Sequence, residues 1–107
     1  MDDRVLLLRA IADETRLTII SELRKHARCV RSLAFRLGIS SSAISQHLKI
    51  LREQGLVTGM KSGYYTHYCL DPLGWQKMRD AVADLPTEEE ARLSIESVRE
   101  CRDPEES

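Results

Sequence analysis

The sequence predicts a mainly α-helical domain carrying one small β-hairpin, and three observations support that expectation. Apolar residues recur at helical spacing along most of the chain. A single stretch around Lys61-Ser62-Gly63 turns instead to β-branched and aromatic residues. The 107 residues can build one core but not two. The predicted organisation is therefore one domain over residues 1–102, followed by an acidic, frayed tail at 103–107.

The helices follow in order. Val5, Leu8 and Ile11, with Leu7 alongside, predict an amphipathic helix over Asp2 to Ala12. Asp13 and Glu14 suit the positive start of a second helix, which runs to about His26 with Leu17, Ile20 and Leu23 inward. A third, short helix carries Val30, Leu33, Ala34 and Leu37 and stops at Gly38, a residue that accepts the left-handed conformation. After the turn Gly38-Ile39-Ser40, Ser40 is a good N-cap, and Ile44, Leu48 and Leu51 at i, i+4 and i+7 share one face of a fourth helix ending at Gly55.

Leu56 to Thr58 and Tyr64 to Leu70 then read as two strands joined at Lys61-Ser62-Gly63. Alternation separates Tyr64, Thr66, Tyr68 and Leu70 from Tyr65, His67 and Cys69; the first set is expected inward, leaving Tyr65 and His67 the more exposed. Beyond Asp71-Pro72, the spacing of Trp75, Met78, Val82 and Leu85 predicts a packing helix broken by Pro86. Thr87 and Glu90 form a capping-box signature for a last helix reaching about Cys101, with Ala91, Ile95 and Val98 inward.

Helix, short turn and helix, followed by a hairpin, is the plan of a winged helix-turn-helix, in which the second helix can stand in a major groove. Charge supports that plan by its location. The formal net charge is only −1, yet Arg24 to Lys61 holds eight bases against the single acid Glu53, and Pro86 to Ser107 holds eight acids against three bases. A basic middle attracts phosphate whatever the sum over the chain.

On the fourth helix Ser42, Ser45, Gln46 and Lys49 project away from the apolar face: an amide able to read an adenine edge, a cation for guanine or phosphate, and short donors near the helix start. Ser40, Ser41, Arg52, Lys61 at the wing and Tyr65 complete the candidate DNA-binding set with His47, which falls beside the apolar face. Two readings stand for His47: a phosphate contact, or a half-buried histidine satisfied by a neighbouring carbonyl.

These residues also carry a family resemblance. Ala12-Asp13-Glu14-Thr15-Arg16-Leu17, Leu33-Ala34, Leu37-Gly38-Ile39-Ser40, Ala43 to Arg52 and Gly55-Leu56-Val57 closely resemble the ArsR/SmtB family of transcriptional repressors, over roughly Leu8 to Pro72. The resemblance implies a homodimer on double-stranded DNA that pairs through its first and last helices and leaves its operator when an inducer, commonly a metal or metalloid, binds. Leu7, Leu8, Trp75, Met78, Val82, Ile95 and Val98 are the expected dimer contacts.

The sensor is where the sequence departs from the family. A Cys-X-Cys pair at the start of the third helix is here Cys29-Val30-Arg31, and no histidine follows His67 to supply a C-terminal metal site. One soft ligand beside a cation cannot build a three- or four-ligand site. A thiolate-bound metal or metalloid joining Cys29 to Cys101 across subunits, and oxidation of Cys29, remain alternatives to the preferred reading, in which the three cysteines are ordinary small residues and no cofactor is needed. No nucleophile–base pair or phosphate-cradling glycine loop can be placed on this plan, so an enzyme is not expected. The competing function is a winged-helix module that docks protein without reading DNA. With no apolar run able to cross a bilayer and an acidic N-terminus unlike a secretory signal, the expected location is the cytoplasm, away from membranes.

Overall fold

Every α-helix but the third begins where a short polar side chain can satisfy its free N–H groups, and the computed structural model, which describes residues 2–101, shows this cap by cap. Asp2 accepts the Arg4 N–H at the start of α1 (Asp3–Ile11). Asp13 does the same for the Arg16 N–H in α2 (Glu14–Lys25). Helix α3 (Val30–Leu37) ends at Gly38, whose φ of 69° is left-handed, and Ser40 then caps α4 (Ser41–Glu53). Strands β1 (Val57–Ser62) and β2 (Tyr65–Leu70) pair antiparallel from Val57↔Leu70 to Ser62↔Tyr65. Asp71 caps α5 (Pro72–Val82), and a full capping box between Thr87 and Glu90 opens α6 (Glu88–Glu96), which tightens into a 3-10 turn at Ser97–Glu100. The result is a winged helix-turn-helix. The acidic tail expected at 103–107 lies outside the described residues.

Ile19, Leu33, Ile44, Leu48, Leu51, Leu56 and Val57 are fully enclosed and join α2, α3, α4 and the foot of the wing into one core. Helix α5 reaches this core through a contact that only glycine permits. A Cβ on Gly74 would lie 1.8 Å from the Gly55 carbonyl oxygen, so the start of α5 rests directly on the backbone of the α4–β1 turn. The Trp75 indole N–H donates to Leu56 O at 3.0 Å and fixes the same junction.

Several expectations about packing are corrected. In α1 the buried residues are Leu7 and Ala10, with Val5 exposed; in α2 Ile19 is buried while Leu17 is 51% exposed. Both helices carry apolar residues on more than one flank, and docking selects the stripe that spacing alone leaves open. Leu7 and Met78, assigned by sequence to the dimer face, belong to the protomer's own core, where α1 packs on α5. Leu85 falls beyond α5 and is exposed.

Helix α6 and the 3-10 turn after it bury none of their residues: Ala91, Ile95 and Val98, expected inward, are open, the last two at 72% and 69%. No residue of α6 joins the core, and the molecule is elongated, 68 Å along its long axis against 27 and 26 Å. Among the described residues no helix is long and apolar enough to cross a membrane.

Candidate nucleic-acid interface

At about 100° per residue, Ile44, Leu48 and Leu51 cluster on one side of α4, and Ser42, Gln46 and Lys49 gather on the opposite side with Ser45 and Arg52 flanking them. The burial agrees: the first three are enclosed, and Ser41, Ser42, Ser45, Gln46, Lys49 and Arg52 are all exposed. No acid occupies the first turn, where free N–H groups favour an anion. Glu53 lies in line with Lys49 one turn later and marks the end of the anion-compatible face.

Two members of the expected set are drawn out of this face. The Ser40 hydroxyl oxygen accepts the Ala43 N–H at 3.1 Å, so its work is to start the helix. His47 sits in the seam between α2 and α4, its Nδ1 3.2 Å from the Arg16 guanidinium and 3.9 Å from Asp13 Oδ2. A guanidinium only donates, so in this contact Nδ1 is the acceptor. The partner is thus an arginine, where sequence offered a carbonyl or a phosphate.

Arg16 is the hub of that seam, and sequence reasoning missed it. Its Nε donates to Ala10 O at 2.6 Å and its Nη2 to Arg9 O at 3.2 Å, closing the carbonyl end of α1 while holding the recognition helix through His47. Asp13, receiving the Arg16 N–H and facing both the guanidinium and His47, has its carboxyl held below the ordinary 3.8. The only prior signal was the Asp13-Glu14-Thr15-Arg16 run, whose cap was legible and whose long-range reach was not.

The basic stretch is also partly internal. Glu22, just before the counted window, lies 2.6 Å from Arg36 Nε, 3.3 Å from Arg28 Nε and 3.8 Å from Lys25 Nζ. The Arg36 hydrogen bond, with the charges of Arg36, Lys25 and Arg28, holds its carboxyl below the ordinary 4.5. Arg36 fastens α3 to α2, Arg28 ties the linker to the same carboxylate and Lys25 lies on α2 itself, while the cations left open beside α4 and the wing are Arg31, Lys49, Arg52 and Lys61.

The wing differs from expectation in its tip and its edge. Ser62 still pairs with Tyr65, so the turn is Gly63-Tyr64 and Lys61 lies within β1 opposite Thr66. Tyr64, expected inward, stands at the tip and is 96% exposed because it lies outside the strand alternation. Tyr65 is exposed as expected, 3.4 Å from the Arg31 guanidinium through its hydroxyl. His67, expected to be exposed, is half-buried with Nδ1 enclosed. The α2–α3 linker lies along this edge of the wing: Arg28 and Tyr68 exchange backbone hydrogen bonds of 3.1 and 2.8 Å.

The thiols are dispersed. Cys29 precedes α3 without capping it, Cys69 Sγ approaches Thr58 O at 3.7 Å, and Cys101 is exposed after the 3-10 turn. Among the described residues no three His, Cys, Asp or Glu side chains converge as a metal or metalloid site requires.

This geometry is shared with known proteins. The sequence profile of the bacterial regulatory proteins of the arsR family matches residues 13–58, from the α2 cap into β1. The crystal structure of a possible transcriptional regulator for arsenical resistance superposes with a TM-score of 0.72 at 35% identity, covering 91% of this chain and 97% of that one. The chain belongs to the ArsR family. Among curated ArsR-type relatives, the transcriptional repressor SmtB of Mycobacterium tuberculosis is 45% identical over 64 residues, 60% of this chain and 47% of SmtB. The arsenical resistance operon repressor of Escherichia coli is 42% identical over 69 residues, 64% of this chain and 59% of the repressor. The chain thus spans about half the length of the first of these relatives, and the family match covers the helix-turn-helix and the start of the wing.

Proposed function

We propose that this ArsR-family chain is a homodimeric, sequence-specific DNA-binding transcriptional repressor, a cytoplasmic regulator and not an enzyme, released from its operator by a signal still to be identified. The observation that carries this reading is the outward face of α4, solvent-exposed and free of carboxylates as far as Arg52. Gln46 supplies an amide for an adenine edge, Lys49 a cation for guanine or phosphate, and Ser41, Ser42 and Ser45 grip the backbone beside the helix start. Lys61 and Tyr64 at the wing, with Arg31 and Tyr65 at its side, extend the contact along the duplex.

Dimerisation is supported by the apolar surface that one chain leaves open: Leu73 and Val82 on α5, Leu85, and Leu93, Ile95 and Val98 at the C-terminal end. A protein-docking module would need such groups on α4 itself, where Ile50, at the flank and 39% exposed, is the sole large one. Selection from a random duplex pool tests the reading. A dimer should enrich an inverted repeat with half-sites about 10 base pairs, or a multiple of that, apart; recovery of no sequence preference would reject sequence-specific binding.

A further inference from the structure

Away from the nucleic-acid face, α2 and α5 enclose an open cleft of about 490 Å³ floored by Leu70, Asp71 and Pro72. Each helix contributes an apolar residue and an arginine at i, i+4 spacing: Ile20 with Arg24 from α2, and Trp75 with Arg79 from α5. The walls therefore combine an apolar body with two cations. Among the described residues neither guanidinium has a carboxylate within ion-pair distance. Asp71 lines the floor, but its Oδ1 accepts the Leu73 N–H at the start of α5. The Trp75 N–H is committed to Leu56 O, which leaves the indole surface to the cleft. The volume is that of a small-molecule site, and apolar walls with a few convergent charges are its usual lining.

We propose that this cleft binds a small organic acid with an apolar body, the anionic head meeting Arg24 and Arg79 and the body lying against Ile20, Leu70 and Trp75. Two arginines can clamp a single carboxylate, an arrangement that a neutral amide of the same shape cannot match. The site adjoins two elements joined to the nucleic-acid face, α2 and the wing. Helix α2 holds α4 through the Arg16–His47 contact, and Leu70 ends the strand that carries the wing. A ligand that draws α2 and α5 together would bias the pose of α4, and this coupling rests on the reading of the chain as a DNA-binding regulator.

Trp75 is the only tryptophan, so its emission reports the cleft directly. Octanoate is the probe and octanamide its neutral counterpart, added to the full-length protein as it assembles in solution. The expected result is a saturable shift in emission with octanoate at a concentration at least about tenfold below that needed for octanamide, with the preference lost in the double variant R24Q/R79Q. Thermal melting of that variant, whose substitutions lie at exposed positions, establishes that it is folded. No saturable shift, equal response to the amide, or an unchanged preference in a folded R24Q/R79Q protein would each overturn the site. In a second arm, saturating octanoate should weaken binding to the selected duplex by about fivefold or more. Unchanged affinity with intact octanoate binding overturns the coupling alone. A protein that binds no duplex overturns the proposed function, while the emission arm still decides the cleft.

Discussion

At the scale of single residues, charge is partitioned between holding the protein together and facing outward. Glu22 takes Arg28, Arg36 and Lys25 into the α2–α3 junction, and Asp13 takes Arg16 and His47 into the α2–α4 seam. Both carboxyls lie below their ordinary values when folded, so each stabilises the fold above the unfolded value near 4, and that contribution is lost as pH falls through the lowered folded value. Glu22→Gln should therefore lower the urea midpoint by an amount that is constant above about pH 5 and shrinks below about pH 4. A difference that persists undiminished at pH 2 would show that the Glu22 charge is not what holds α3. Little of this was legible beforehand: Glu22 and Arg36 are 14 positions apart, and no helical or strand spacing links them. The outward set Ser42, Ser45, Gln46 and Lys49 was legible, because periodicity fixes which side of α4 opposes Ile44, Leu48 and Leu51.

At the scale of elements, starts and stops were readable and phases were not. Asp13, Ser40 and the Thr87–Glu90 box each act as sequence chemistry predicts, since capping depends on the residue at the helix start and those one turn inside. Which flank of α1 or α2 turns inward depends on partners far along the chain, so Leu17 and Ile19 exchanged roles. The linker strand at Arg28 carried no β signature because a single bridge needs only two backbone hydrogen bonds. The seating of α5 on Gly55 gives the sharpest test at this scale. Gly74→Ala places a methyl group against a backbone carbonyl that cannot rotate away, and should destabilise the protein by about 1–3 kcal/mol or more, read as a lower urea midpoint. An unchanged midpoint would mean that α5 docks elsewhere.

At the scale of the whole molecule, two surfaces lie open for different reasons: a polar and basic one on α4 and the wing, and an apolar one at the C-terminal end. Ile95→Asp with Val98→Asp should convert a dimer into a monomer in sedimentation measurements at micromolar concentration while leaving the helical signal of the core intact, because neither residue is buried in the protomer. A dimer that survives both substitutions would place the interface away from α6. The central claim is that the outward face of α4 reads DNA, and titration of the selected duplex with Gln46→Ala/Lys49→Ala protein across a range of salt tests it most directly. The account predicts a dimer still folded, an affinity lower by about ten- to a hundredfold and a salt dependence shallower by about one counterion; wild-type affinity with an unchanged salt slope would contradict it.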